Sequence, residues 1–336
     1  MRRIPRVSSP TPARRPVAAS VWRPTCVIAL AALLALAAGC GDDDESVPRS
    51  GEPDANTDDG AGATDAVFPA DVEAANGTVT IEAEPERIVS LSPTATEMLY
   101  AIGAGDQVEA VDDFSNYPEG TPMTDLSGFE PSVEAVTTYD PDLVVLSFDA
   151  NDVVAGLERV GIPVLDLPAA TSLEESYDQI TQLGAATGHA DEATELVDDM
   201  QADIDDLAAQ AAEHDQPLTY YHELDDQLHT ATSQTFIGQI YALAGLENVA
   251  DAADDGSGYP QVSAELLLDS NPDMIFLADE AAGIDAADVA ARPGWDQVTA
   301  VRNGDVVELD PDITSRWGPR VVEFLRSVVK ATSEAG

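Results

Sequence analysis

The feature that most constrains this chain is an internal repeat. Ser132-Val133-Glu134-Ala135-Val136 followed by Pro141-Asp142-Leu143-Val144-Val145-Leu146 matches Ser263-Ala264-Glu265-Leu266-Leu267 followed by Pro272-Asp273-Met274-Ile275-Phe276-Leu277, with the same serine-to-proline spacing. Upstream, Ser92-Pro93-Thr94 with Tyr100 and Val108 matches Ser233-Gln234-Thr235 with Tyr241 and Val249, again at equal spacing. Two matched pairs in one order define two similar lobes, at about residues 85–168 and 217–332. Short β-rich apolar runs at 87–91, 142–147, 163–167, 274–278 and 306–309 alternate with helical stretches. That alternation predicts parallel sheets covered on both faces.

Between the lobes the period changes to that of a helix. Ser172 and Glu175 are spaced as a capping box, and Leu173, Tyr177, Ile180 and Leu183 follow at helical intervals. Gly184 and Gly188 mark a weak spot near a helix end. Leu196, Met200, Ile204 and Leu207 then carry one apolar stripe to about Ala212, which predicts a long, stiff helix linking the lobes.

The N-terminal region reads as targeting rather than fold. Six arginines and no acid precede residue 24, an apolar run spans 26–38, and Leu36-Ala37-Ala38-Gly39-Cys40 precedes an acidic stretch. The apolar run suits a signal peptide and is too short to span a bilayer comfortably. Small residues before a cysteine resemble a bacterial lipobox, with Ala37 where leucine is preferred, which makes Cys40 the expected lipidation site. The following residues, rich in Asp, Glu, Gly, Ala and Thr, read as a disordered tether. The expected organisation is a signal peptide at 1–39, an acidic tether at 40–76, an N-terminal lobe at 77–168, linking helices at 169–214 and a C-terminal lobe at 215–333. Both cysteines, Cys26 and Cys40, precede the folded part, which therefore has neither a disulfide nor a thiol site.

Charge excludes one class of partner. Beyond residue 39 only nine basic residues, a single lysine among them, oppose all 63 acidic ones, so nothing can neutralise a phosphate backbone and nucleic-acid binding is ruled out.

The stretches at 85–111, Ser115-Asn116-Tyr117-Pro118, 131–146, 259–277 and Ser315-Arg316-Trp317-Gly318-Pro319-Arg320 together resemble the helical-backbone ABC substrate-binding proteins for vitamin B12, ferric siderophores and haem, in colinear order over residues 85–330. The resemblance implies two doubly wound α/β lobes joined by one long backbone helix, with the ligand cleft between them. It implies a monomer without cofactor that captures a metal chelate outside the cytoplasm and delivers it to an ABC permease dimer with its ATPase subunits. Lipid on Cys40 would hold it to the cell membrane, at the cell surface or in a periplasm. Glu134 and Glu265 match the family's two permease-docking glutamates. Each follows a candidate serine N-cap by two residues, where a helix dipole favours an exposed carboxylate.

Ligands of open α/β sheets bind beyond the strand C-termini. From the first lobe this nominates Ser92, Thr94, Phe114, Tyr117, Phe129, Phe148 and Asp149. From the second come Tyr221 and His222, expected after a strand, and Asp312, Arg316 and Trp317. By resemblance, Phe114, Phe129 and Phe148 match aromatics that stack on a corrin, and Asp312 and Arg316 match positions near the ligand. A cleft rich in aromatic residues and poor in cations suits a corrinoid, or a neutral or cationic siderophore, better than anionic chelates that need arginines.

Two other classes compete. His222, Glu223, Asp225, Asp226 and His229 could hold a bare zinc or manganese ion, with His189 and His214 in the linking region. An enzyme is disfavoured because no nucleophile elbow, zinc-protease helix or phosphate loop is present.

Overall fold

The computed structural model describes residues 68–211, 217–279 and 283–335. The signal sequence, Cys40, most of the tether and His214 lie outside the described residues. After an N-terminal hairpin of β1 (Ala70–Ala74) and β2 (Gly77–Ile81), the first lobe runs β3 (Ile88–Leu91), α1 (Pro93–Ala101), β4 (Val108–Asp112), β5 (Met123–Leu126), α2 (Val133–Thr137), β6 (Leu143–Leu146), α3 (Val153–Arg159) and β7 (Val164–Asp166). The five strands β3–β7 are parallel, in the order β5-β4-β3-β6-β7. The chain winds one way from β3 to β5, then crosses to β6 and β7. The switch point of this doubly wound sheet therefore lies between β3 and β6.

Two helices link the lobes, α4 (Leu173–Thr187) and α5 (Ala190–Ala211). The second lobe follows with β8 (Thr219–Glu223), α6 (Phe236–Leu243), β9 (Glu247–Asn248), α7 (Ala264–Ser270), β10 (Met274–Leu277), α8 (Ala286–Ala291), α9 (Thr299–Asn303), β11 (Val306–Glu308), α10 (Pro311–Thr314) and α11 (Val321–Glu334). Its parallel sheet has the order β11-β10-β8-β9.

The repeat seen in the sequence is a device for starting a strand beside its neighbour. Ser132 and Ser263 cap α2 and α7, accepting hydrogen bonds from the Ala135 and Leu266 amides. After each helix one residue turns left-handed, Asp140 at φ 50° and Asn271 at φ 49°, a conformation that Asx side chains tolerate. A proline ends the turn. The aspartate after it binds the start of the adjacent strand: Asp142 accepts from the Glu86 and Arg87 amides at 2.9 Å, and Asp273 accepts from the Thr219 amide at 2.9 Å.

Within the linking segment the weak spot is real. Gly188, at φ 84°, closes α4 in the left-handed conformation, and the 22-residue α5 begins two residues later. The capping box is offset by one residue. Ser172 accepts from the Glu175 amide, but the Glu175 carboxylate accepts from the amide of Thr171 instead of Ser172. Met200, Ile204 and Leu207 of α5 are buried in one core cluster that also contains Ile88 and Met98 of the first lobe and Tyr220 and Phe276 of the second. No helix among the described residues is long and apolar enough to cross a membrane.

The hairpin corrects one boundary. Residues 70–74, expected within the tether, form β1, which pairs antiparallel with β2. Their acidic composition hid an alternating pattern in which only Val72 is fully buried. At the turn, Asn76 Nδ2 donates to the Val164 carbonyl at 3.0 Å, and Asn76 Oδ1 accepts from the Asp166 amide at 3.2 Å. The hairpin thereby covers β7, an edge strand whose free groups would otherwise invite pairing.

Candidate functional site

A cavity of about 510 Å³ opens at the C-terminal ends of the first lobe's strands. Every strand of that sheet contributes. Ser92, Pro93 and Thr94 follow β3, Asp112 and Phe114 end and follow β4, Gly128 and Phe129 follow β5, Ser147 and Phe148 follow β6, and Ala169 lies beyond β7. The opposite wall is Asp312, Ser315, Arg316 and Trp317, from α10 and the turn after it. Cavities of similar volume occur between β11 and α11 and beneath β2. Neither gathers strand ends of a switch point, so volume does not choose the site; topology does.

The walls are aromatic and available. Phe114, Phe129 and Phe148 are 54%, 67% and 56% exposed, a concentration of bare apolar rings that a monomer rarely leaves without a use. Phe114 and Phe129 meet edge to face at 5.8 Å. Trp317 is fixed from behind: its indole N–H donates to Gln179 Oε1 at 2.8 Å and its carbonyl accepts from the Ser176 hydroxyl. Gly128 keeps the floor low, since an added Cβ would stand 2.7 Å from the Leu91 carbonyl oxygen.

Charge at the cavity is internally balanced with one exception. Arg316, only 6% exposed, donates to Glu97 at 2.7 Å, Asn116 at 3.0 Å and the Phe114 carbonyl at 3.1 Å, and pairs with Asp312 at 2.7 Å. Arg320 holds the same Glu97 with two bonds, at 2.9 and 2.5 Å, and stacks its guanidinium 4.3 Å from the centre of the Tyr117 ring. Glu97 thus joins two arginines of the second lobe to α1 of the first. No guanidinium on the wall is left uncompensated for an anionic ligand. The exception is Asp112, buried beneath the cavity. Its Oδ1 accepts from the Phe114 amide at 2.7 Å and its Oδ2 from the Ser115 hydroxyl at 3.0 Å, and burial pushes its carboxyl above the ordinary value.

The structure therefore brings Ser92, Thr94, Phe114, Phe129, Phe148, Asp312, Arg316 and Trp317 around one cavity. Four expected site residues stand elsewhere. Tyr117 lies under Arg320, and Asp149 accepts from the Val154 amide at the start of α3. Tyr221 and His222 require correction. The sequence pattern puts them after a strand, but they lie inside β8, between β9 and β10, and both are wholly buried. An interior parallel strand is covered on both faces, so neither side chain reaches the cleft.

The alternative metal cluster disperses. His222 Nδ1 pairs with Tyr241 Oη at 2.8 Å, Glu223 is held by Arg292 at 2.6 and 2.5 Å, and His229 pairs only with Asp225 at 2.7 Å. Among the described residues no group of three or more metal-ligating side chains could hold an ion.

Burial drives the His222 pKa down to about 3. The folded state thus keeps this ring neutral where the unfolded chain, at about 6.5, takes up a proton. Stability is full above the unfolded value and is expected to fall with pH through the interval down to about 3, by roughly 1.4 kcal/mol per pH unit. Urea unfolding of His222→Gln between about pH 4 and 6 should show a slope shallower than wild type by about one proton. Equal slopes would mean that His222 protonates in the fold.

Sequence reasoning missed Asp112, Gly128, Ser147, Ala169 and Ser315 on the cavity, and Glu97 behind it. It also passed over Tyr259, which is 49% exposed. The preceding Gly258 packs on Thr235, the N-cap of α6, with only 2.9 Å from a built Cβ to its methyl. The recurrence of Tyr-Pro at 117–118 and 259–260 was the available signal.

Comparison with known proteins gives a consistent result. Residues 88–313 match the model of a family described as periplasmic binding protein. The chain is 34% identical, over 79% of its length and 86% of the relative's, to a Bacillus subtilis protein named an uncharacterized ABC transporter substrate-binding lipoprotein, YvrC. It is 33% identical to the cobalamin-binding protein of Halobacterium salinarum, over 77% of this chain and 72% of that one. Among solved structures, the vitamin B12 binding protein BtuF of Vibrio cholerae superposes with a TM-score of 0.64 at 28% identity, covering 75% of this chain and 98% of that one. The heme-binding protein RhuT of Roseiflexus sp. RS-1 has a TM-score of 0.66 at 23% identity, over 74% and 98% of the two chains, a likeness of fold alone. All four carry the names of binding proteins, not enzymes.

Proposed function

The chain belongs to the periplasmic binding protein family, and from that premise we propose that it is a lipid-anchored, extracytoplasmic substrate-binding protein of an ABC importer that captures a corrinoid. The observation that carries the choice of ligand is the cavity wall: three half-exposed phenylalanines facing a fixed tryptophan, with the one lining guanidinium already neutralised. Flat apolar rings suit the face of a macrocycle. Propionates or an anionic siderophore would need a cation that Glu97 and Asp312 have taken. The named binding of cobalamin by a relative at 33% identity supports the same reading. A neutral ferric siderophore fits the walls second best.

In this reading the chelate enters between the lobes, the lobes close through a small angle because α5 is stiff, and the loaded monomer docks on the permease dimer through Glu134 and Glu265. Both glutamates are exposed on the first turns of α2 and α7. Lipid on Cys40 would keep the protein beside its partner.

A thermal-shift series tests the ligand, because a compound bound only by the folded state raises the melting temperature. Cobalamin and cobinamide are expected to shift it; haem, anionic ferric siderophores, Zn²⁺ and Mn²⁺ are not. A shift with a ferric siderophore alone would keep the transport role and replace the nutrient. The walls can be tested separately. Burying the exposed half of a phenylalanine contributes about 1–2 kcal/mol, so Phe148→Ala should weaken corrinoid binding roughly five- to thirtyfold. The unfolding midpoint should stay unchanged, since the ring leaves little behind in the core. A lower midpoint with unchanged affinity would place Phe148 in the fold and outside the site.

A further inference from the structure

Asp112 has no use in the binding scheme above, and its surroundings make it costly. Its side chain is 1% exposed although it lines the cavity. Its partners are neutral donors from its own turn, the Phe114 amide and the Ser115 hydroxyl. Ser115 lies 3.0 Å from the Thr96 hydroxyl, and Thr96 donates to Ser90, so buried hydroxyls lie behind this carboxylate. Among the described residues no arginine, lysine or histidine forms an ion pair with it. The arginine across the cavity is held by Glu97 and Asp312. A buried charge without a counterpart is expensive, and a donor from a bound ligand would lower that cost.

On its cavity side the cover is thin. Gly128 stands above it, and a side chain there would begin 3.7 Å from Asp112 Oδ2. Its oxygens engage the Phe114 amide and the Ser115 hydroxyl and amide, and a carboxylate can accept about four hydrogen bonds. Resting on the reading of this cavity as a corrinoid site, we propose that Asp112 is a specificity-determining residue, accepting a hydrogen bond from an amide N–H on the rim of the bound chelate and repelling chelates whose rim carries carboxylates. The aromatic walls recognise the flat face of the ligand, which amide and acid forms share. Asp112 reads the edge, where they differ.

The test compares two probes built on the same corrin, cobinamide with amides on its rim and cobyrinic acid with carboxylates. Their dissociation constants would be measured by titration at fixed salt for the wild-type protein, Asp112→Asn, Asp112→Ser and Asp113→Asn. The wild type is expected to prefer cobinamide. Asp112→Asn keeps the shape and the acceptor oxygen but removes the charge, and should narrow the preference by about tenfold or more, the lower range for a hydrogen bond to a charged group. Asp113 is adjacent but exposed, so Asp113→Asn should leave the ratio unchanged. It controls for the general acidity of the chain. An unchanged ratio in Asp112→Asn, or equal narrowing in Asp113→Asn, overturns the proposal while leaving the corrinoid reading in place. If Asp112→Asn fails to fold, the ratio in Asp112→Ser decides. Loss of fold in both assigns Asp112 to the scaffold and overturns the proposal. A wild type that binds neither probe refutes the corrinoid reading itself, and this proposal with it.

Discussion

Replacing Glu97 with alanine is expected to lower the unfolding free energy by about 3–5 kcal/mol, the range for breaking a buried ion pair from one side. Glu97 is 3% exposed and carries both Arg316 and Arg320. Removing it leaves two guanidinia in a region where each is at most slightly wet. Arg316 would retain Asp312, Asn116 and the Phe114 carbonyl, whereas Arg320 would retain only its stacking on Tyr117 among the bonds described. The loss should therefore be larger than for Arg320→Ala, which removes one partner and leaves Glu97 paired with Arg316. Urea unfolding of the three proteins gives the comparison. A cost below about 1 kcal/mol for Glu97→Ala, typical of exposed pairs, would mean that the cluster is solvated. Such a result would also remove the reason given above for excluding anionic ligands, because Arg316 would then be free to meet them.

The Glu97 cluster shows where sequence reasoning stops. Its partners lie 219 and 223 residues away, so no local pattern announces them, and in a chain with 63 acidic residues one more glutamate in a helix carries no signal. Asp112 and Asp113 are indistinguishable as letters; burial alone separates them. By contrast, the repeat was legible because it encodes short-range chemistry twice: a serine cap, a left-handed Asx, a proline, and an aspartate that seats a strand. The cavity residues of the first lobe were legible because strand ends are marked by a change from apolar to turn-forming residues, and the switch-point rule converts strand ends into a site. That rule misplaced Tyr221 and His222 because polar side chains in Thr219–Glu223 made the strand seem to end early. They sit inside it because each found a buried environment, His222 against Tyr241 and Tyr221 in a cluster with Ile275 and Trp295. The hairpin at 70–81 was missed for the opposite reason, its acids suggesting a tether although Val72 and Ile81 are buried and Ala74 and Val79 pack against the same core.

If Glu134 and Glu265 dock the permease as proposed, reversing both charges, in Glu134→Arg with Glu265→Arg, is expected to abolish uptake while leaving ligand affinity intact. The two carboxylates are equivalent by the repeat, each on the first turn of a short helix capped by a serine, and both are exposed. Such a pair presents one charge per lobe to a partner whose own two halves are alike. Truncating one partner of a buried interfacial charge pair costs about 2–5 kcal/mol, and reversal adds repulsion to that loss. Two reversals therefore put association beyond reach at ordinary concentrations, while one leaves a weakened complex. Neither substitution touches the core. Each residue points into solvent, and arginine at a first-turn position loses at most about 1 kcal/mol against the helix dipole. The measurements are uptake of labelled ligand by cells or vesicles carrying the importer, the dissociation constant of the isolated protein, and its melting temperature. Lost uptake with the other two unchanged supports docking through both lobes. Undiminished uptake in the double variant would show that the permease grips another face. A fall in affinity would instead tie Glu134 or Glu265 to the cleft, although neither is among the residues that line the cavity.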